Sequence, residues 1–219
     1  MHNIFQTIGR LGVIPVVTLD DASQAMPVCQ ALLAGGLSVV EITFRTSAAA
    51  EAIAIVSREI PEMLVGAGTI LTTDQAKQAF DSGATFMVSP GFNPRVVQFC
   101  IENKTPVTPG CSNPTDLTMA VEYGLDVVKF FPAESLGGLK MLKALAAPFR
   151  MLQFIPTGGI DPVNLREYLG FDRVLACGGT WIAKPDMVRS NDYGLITSVS
   201  RTSVEVVREF RELQKTVKG

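Results

Sequence analysis

Short β-branched runs alternate with alanine-rich or amphipathic segments along the whole chain, and eight of the runs have the length of a buried strand. They are VIPVVTL (13–19), LSVVEITF (37–44), EMLVGAG (62–68) and TFMVSP (85–90), then PVTPG (106–110), DVVKFF (126–131), LQFIPTGG (152–159) and RVLACGG (173–179). Eight apolar strands separated by helical segments predict an α/β chain folded as a (β/α)8 TIM barrel with eight parallel strands. NIFQTIGRLG (3–12), ahead of the first strand, predicts an extra N-terminal helix across the barrel floor. The punctuation fits. Asn93-Pro94, Asn113-Pro114 and Asp161-Pro162 each read as a cap followed by proline at the first helical position. Gly35-Gly36, Gly83 and Gly124 close helices just before the next strand. Pro27 fits badly inside a helix over 22–34, which must begin late or bend there. The last helix runs over 191–218. An open doubly wound sheet is the competing architecture, but its dinucleotide-binding form wants a GxGxxG after an early strand, and the chain has none.

No linker, low-complexity stretch or composition shift divides the chain, so residues 1–219 are expected to form one barrel domain. A formal net charge of -2 gives no basic footprint for nucleic acid or an anionic membrane. No apolar stretch approaches the ~20 residues that span a bilayer. GVIPVVTLDD is short, carries Pro15 and runs into two acids, so no signal peptide is expected and the protein reads as cytoplasmic. Cys29, Cys100, Cys111 and Cys177 are far apart without a CxxC pair, and read as reduced structural thiols. His2 is the only histidine. Its isolation at the terminus argues against imidazole-bound zinc and against Ser-His or Cys-His pairs, and no carboxylate cluster suggests magnesium. The chemistry falls to Lys, Glu, Arg, Thr, Ser and backbone amides.

Lys129 changes the picture most, because it interrupts the apolar run GLDVVKFFPAE. Burial favours the neutral amine, which is a nucleophile. Other polar exceptions fall at strand ends, where barrels assemble their sites. Glu41 and Thr43 share one face of the second strand, and Arg45 follows directly. Thr69 ends the third strand, Ser89-Pro90-Gly91 the fourth and Thr157 the seventh, and Thr180 follows the eighth. Singly, each has an ordinary reading: a lumen ion pair for Lys129 and Glu41, a solvated loop for Arg45, and backbone-bonded hydroxyls for Thr69 and Thr157. Their conjunction points to a site. Gly158-Gly159 and Gly178-Gly179 follow the seventh and eighth strands, where backbone amides can approach a phosphate. Either pair alone would equally serve as a tight turn. Trp181 reads as a packing residue.

The segments AGGLSVVEITFRT, VGAGTIL, VSPGFNP, TPGCSNPTDL, YGLDVVKFFPAE, FIPTGGI and CGGTW together resemble the 2-keto-3-deoxy-6-phosphogluconate (KDPG) and 4-hydroxy-2-oxoglutarate (KHG) aldolases, class I enzymes. One departure is Thr180, where the family pattern has serine; both residues carry a hydroxyl donor. The resemblance implies Lys129 as the Schiff-base lysine and Glu41 as the proton-shuttling acid and base. It implies Arg45, Thr69 and Thr157 around the keto-acid carboxylate, Phe131 against the pyruvyl carbons and Pro90 shaping the site. Gly158, Gly159, Gly179 and Thr180 would cradle the phosphate. The implied reaction is reversible cleavage of KDPG to pyruvate and glyceraldehyde 3-phosphate, and of 4-hydroxy-2-oxoglutarate to pyruvate and glyoxylate. No metal or cofactor is implied beyond the covalent Schiff base, and the implied partners are a small 2-keto acid or phosphosugar acid and two further copies in a homotrimer. Two other readings of the same residues stay open: a phosphate-binding barrel isomerase or synthase that needs no imine, and a non-catalytic phosphosugar-binding protein.

Overall fold

The computed structural model describes residues 2–218, with side chains from 4 to 213, so the side chain of His2 lies outside what is described. Every strand pairing is parallel. The strands are β1 (Val13–Val17), β2 (Val39–Thr43), β3 (Leu64–Gly68), β4 (Phe86–Val88), β5 (Val107–Thr108), β6 (Gly110–Cys111), β7 (Val127–Phe130), β8 (Gln153–Pro156) and β9 (Cys177–Gly179). They form a curled six-stranded sheet ordered β5-β4-β3-β2-β1-β9 and a three-stranded sheet ordered β6-β7-β8. The expected fifth strand is split. Pro109 has no N–H to donate, and β5 pairs with β4 while β6 pairs with β7 on the other side. The expected eighth strand is shorter than predicted, and β8 meets that segment only through the bridges Phe154–Val174 and Thr157–Gly178.

All five residues of VVEIT in β2 are buried, Glu41 included. That follows from apolar packing on both faces of a parallel sheet, with helices outside and side chains filling the inside. The larger core lies between sheet and helices. A smaller cluster of Ile8, Ile14, Val39, Phe86, Val88, Val127, Ile155 and Ala176 fills the inner face. Ile8 and Phe5 reach it from α1 (His2–Leu11), so the first helix stops the strand-start end, as its sequence predicted. Gly66 makes room there: a Cβ on it would stand 2.2 Å from the Phe86 ring.

The remaining helices are α2 (Ala25–Ala34), α3 (Ala49–Glu59), α4 (Thr73–Asp81), α5 (Pro94–Glu102), α6 (Pro114–Glu122), α7 (Gly138–Ala146), α8 (Leu165–Leu169), α9 (Pro185–Arg189) and α10 (Tyr193–Lys218). Two starts differ from expectation for local reasons. Asp21 caps a 3-10 turn, Ala22–Gln24, so α2 begins late and Pro27 falls in its first turn, where no N–H is needed. Asp161 accepts the N–H groups of Val163 (2.8 Å) and Asn164 (3.1 Å), a side-chain turn that delays α8 to Leu165. The short α9 was not foreseen. The long α10 packs on α2, where Thr197 Oγ1 donates to Ala31 O at 3.0 Å, and its Arg211 donates to the carbonyls of Gly9 and Arg10 at the open end of α1. Among the described residues no helix is long and apolar enough to cross a membrane.

All four cysteines are free and buried. Burial pushes the Cys29 and Cys100 thiols up from 9.0 to about 12, and Cys111 and Cys177 higher still. The folded state therefore holds these protons after the unfolded chain would release them. Their contribution to stability is complete below pH 9.0 and is lost as pH climbs toward about 12. We expect the native protein to leave an aromatic disulfide reagent unreacted at pH 8 and to release thiols only on denaturation. Rapid native labelling of any cysteine would contradict the burial.

Candidate active site

β2 and β7 carry the two charged groups of the interior. Strand alternation turns Glu41 inward from β2 and Lys129 inward from β7, and the two residues are 3 % and 5 % exposed. Lys129 Nζ stands 3.7 Å from Glu41 Oε1, an ion pair too long for a hydrogen bond. Taking two charges out of water costs several kcal/mol per ion, and their attraction offsets this only with good geometry and further hydrogen bonds. Here the geometry is incomplete, since Glu41 Oε1 has no hydrogen-bond partner and neither has Thr157 Oγ1 nearby. Both residues line, with Lys129, Thr108, Phe5 and Ile8, a small cavity of about 10 Å³. Two unpartnered oxygens and an amine facing one small void are what a hydroxyl or water, able to donate as well as accept, would satisfy. The Lys129 ammonium also lies 4.9 Å from the centre of the Phe131 ring, a favourable cation–π distance.

The Glu41 carboxylate fits only because the adjacent strand is bare. A Cβ on Gly68 would stand 2.1 Å from Glu41 Oε1. One turn outward, Arg45 is exposed at the end of β2 and donates from Nε to Thr69 Oγ1 at 3.3 Å. Thr69 has φ 58°, a left-handed backbone that a β-branched residue adopts at a cost of ~1–3 kcal/mol and that aims its hydroxyl at the guanidinium. Arg45 pairs with no carboxylate among the described residues, which leaves a cation free for an anion. Thr43 Oγ1 donates to Val17 O at 3.1 Å and so accepts from Thr18 Oγ1 at 2.8 Å. Pro90 is half-buried, its carbonyl set directly over Gly110, where a Cβ would come within 2.0 Å.

The glycine pairs form the other wall. Gly158 and Gly159 have φ 98° and 79°, values that favour glycine. The carbonyls of Thr157, Gly158 and Gly159 are all engaged, by Ala133 N (2.8 Å), Glu134 N (3.0 Å) and Asn164 Nδ2 (2.9 Å). A planar trans peptide points its N–H opposite its carbonyl, so this turns the N–H groups of Gly159 and Ile160 the other way. Among the described residues those two amides, and those of Thr180 and Trp181, donate to no protein acceptor. Thr180 is exposed, while Trp181 is buried and donates from Nε1 to Ser203 Oγ at 3.2 Å. Gly178 is bare for the same reason as Gly68: a Cβ would meet Thr157 Oγ1 at 2.2 Å.

Lys129, Glu41, Thr157 and Phe131 thus gather in one place, and Arg45 with Thr69 forms a second polar group at the end of β2 and β3. Gly158, Gly159, Gly179 and Thr180 lie on the neighbouring β8 and β9 ends, which the Thr157–Gly178 bridge joins. Sequence reasoning missed the supporting role of Gly68 and Thr18. Glycine inside VGAG was a signal that something crosses that strand, though not what. Among the described residues no group of three or more His, Cys, Asp or Glu side chains is placed to hold a metal.

Comparison with known proteins agrees over most of the chain. A family model described as KDPG and KHG aldolase matches residues 4–199. A 2-dehydro-3-deoxy-phosphogluconate aldolase of Treponema pallidum is 48% identical across 94% of this chain and 99% of that protein. The KDPG aldolase of Legionella pneumophila, solved with pyruvate captured at low pH as a covalent carbinolamine, superposes with a TM-score of 0.88 at 34% identity, covering 91% of this chain and 97% of that one. The Zymomonas mobilis ZM4 aldolase solved with 3-phosphoglycerate gives 0.84 at 39% identity, covering 91% and 94%.

The crossing at Gly68 can be tested without any assay of function. Gly68→Ala should lower the unfolding free energy by about 1–3 kcal/mol in denaturant titrations, since the new methyl overlaps the Glu41 carboxylate. Gly91→Ala, where a Cβ meets nothing within 4 Å, should stay within about 0.5 kcal/mol of the parent. Equal costs at both positions would contradict the packing described.

Proposed function

The chain belongs to the KDPG and KHG aldolase family, and we propose that it reversibly cleaves 2-keto-3-deoxy-6-phosphogluconate to pyruvate and glyceraldehyde 3-phosphate through a Schiff base on Lys129. On the same reading it also cleaves 4-hydroxy-2-oxoglutarate to pyruvate and glyoxylate. The observation that carries the reading is the buried amine of Lys129 held 3.7 Å from an incompletely satisfied Glu41 carboxylate.

The steps follow from that pair. Lys129 passes its proton to the Glu41 carboxylate, its neutral amine adds to the C2 carbonyl of the keto acid, and the carbinolamine loses water to give an iminium. Glu41 supplies the proton that leaves with that water. The carboxylate then takes the C4 hydroxyl proton, directly or through a water. The C4 oxygen becomes the aldehyde carbonyl, the C3–C4 bond breaks, and its electron pair moves to C3 as the iminium becomes an enamine. Glu41 returns the proton to C3, and water hydrolyses the new iminium to free pyruvate and restore the amine. Arg45 holds the substrate carboxylate through charge-assisted hydrogen bonds, with Thr69 and Thr157 on the neighbouring oxygens. Phe131 packs on the pyruvyl carbons, and Pro90 bounds the site. The free amides beside Gly158, Gly159 and Gly179, with the Thr180 hydroxyl, take the phosphate.

The fold assigned on this reading is one (β/α)8 domain in which the two sheets join into a single ring. Supporting that closure are the split fifth strand, whose halves pair on opposite sides of Pro109, and the two bridges between β8 and the β9 segment. A metal-independent, cytoplasmic homotrimer completes the proposal on family likeness, with light scattering as the check on assembly.

Incubation with pyruvate followed by borohydride reduction should fix a three-carbon adduct on Lys129, mapped by mass spectrometry. An adduct on another residue, or none, removes the mechanism. Lys129→Ala should lose all cleavage while circular dichroism confirms a folded chain. Thr180→Ala should raise KM for the phosphorylated substrate by ~5-fold, the worth of one hydrogen bond, and leave KM for 4-hydroxy-2-oxoglutarate unchanged.

A further inference from the structure

Glu134 and Tyr168 take no part in the steps above, yet they hold the glycine loop from behind. Glu134 lies in a 3-10 turn, Glu134–Leu136, that follows β7. Its backbone N–H donates to Gly158 O at 3.0 Å, the bond that fixes the peptide before Gly159. Its side chain then runs across Gly159, where a Cβ would stand 2.6 Å from both Glu134 Cβ and Cγ. The carboxylate ends in a hydrogen bond from the hydroxyl of Tyr168 on α8. Tyr168 is 1 % exposed, so its ring is locked by packing while Glu134 is open to solvent. The chain from Gly159 returns to Tyr168 through α8, closing a loop: Gly158 to Glu134 by backbone, Glu134 to Tyr168 by side chain, and Tyr168 back to Gly159 along the sequence.

The carboxylate has a reason to be tethered. Unrestrained, a negative charge on an exposed stem beside the glycine pair would compete for the amides of Gly159 and Ile160 and repel an incoming anion. The Tyr168 hydroxyl holds it instead near Gly138, the first residue of α7, since a Cβ on Gly138 would be 3.1 Å from Glu134 Oε1 and 3.4 Å from the Tyr168 hydroxyl oxygen. Burial, then the Glu134 hydrogen bond, pushes the phenol well above its usual range, so the hydroxyl remains a donor at every working pH.

We propose that Tyr168 and Glu134 are positioning residues for phosphate recognition: together they set the Gly158–Gly159 peptide and keep a carboxylate off the anion cradle. The proposal rests on the phosphate site described above. Its test separates the two. Tyr168→Phe and Glu134→Asp, which keeps the charge on a stem one methylene shorter and so out of reach of the Tyr168 hydroxyl, should each raise KM for the phosphorylated substrate about 5-fold or more, with kcat for 4-hydroxy-2-oxoglutarate and the yield of borohydride-trapped pyruvate unchanged. Glu134→Gln keeps an acceptor for Tyr168 and should hold KM near the parent value. If both variants change the two substrates alike, or change neither, while Thr180→Ala still discriminates, the clamp is wrong and the cradle stands. If Thr180→Ala also fails to discriminate, both readings fall together. Discrimination by Tyr168→Phe and Glu134→Asp alone upholds the clamp and removes the threonine. Because Glu134 lies on the surface, its variants decide the matter even if Tyr168→Phe folds poorly.

Discussion

An ammonium and a carboxylate buried together, without enough hydrogen bonds to satisfy them, set the terms for everything around them. A folded chain tolerates such a pair only where the surrounding structure enforces it, because replacing it with apolar side chains is often neutral or stabilising. Lys129 and Glu41 arrive on strands of different sheets, at a distance set by how the two sheets face each other rather than by contact between the groups themselves. The stability given up leaves an amine and an acceptor already desolvated and aimed at one void. In the proposed chemistry, the substrate supplies the missing partners.

The scaffold keeps that void small by controlling volume on each side. Below, Phe5 and Ile8 of α1 close the strand-start end with Ile14 and Phe86. Beside it, Gly66 yields space to Phe86, Gly68 to the Glu41 carboxylate and Gly178 to Thr157. The pattern is a single design: bulky groups cross the interior only where a neighbouring strand has no side chain. α10 adds the outer restraint, since its Arg211 takes the last carbonyls of α1 and its Thr197 is bonded to α2.

Charge is arranged in sequence outward. The buried pair sits deepest, Arg45 with Thr69 stands at the ends of β2 and β3, and the unpartnered amides lie at the ends of β8 and β9. In the proposed function, a molecule with a keto group, a carboxylate and a distant phosphate would meet one feature at each position. The clamp from Tyr168 through Glu134 belongs to the same logic, since an anion site beside a carboxylate works only if that carboxylate is held elsewhere.

The amino-acid sequence alone determined the alternation of strands and helices, the inward phase of Glu41 in VVEIT, the anomaly of Lys129 and the paired glycines, because each is a local pattern with period or composition behind it. It also placed α1 on the floor and marked Pro27 as a point where α2 would begin late or bend. It overran most strand ends by one to four residues, since hydrogen bonding stops where the partner strand stops. It could not see the break at Pro109 as a division between two sheets, the side-chain turn that postpones α8, or the short α9. Distances belong to the tertiary structure alone. That Lys129 stands 3.7 Å from Glu41, that Gly68 exists for a carboxylate one strand away, and that Tyr168 reaches Glu134 are contacts between residues 27 to 88 positions apart. No local pattern encodes them; they follow from how the two sheets curl toward each other and which neighbours they leave bare.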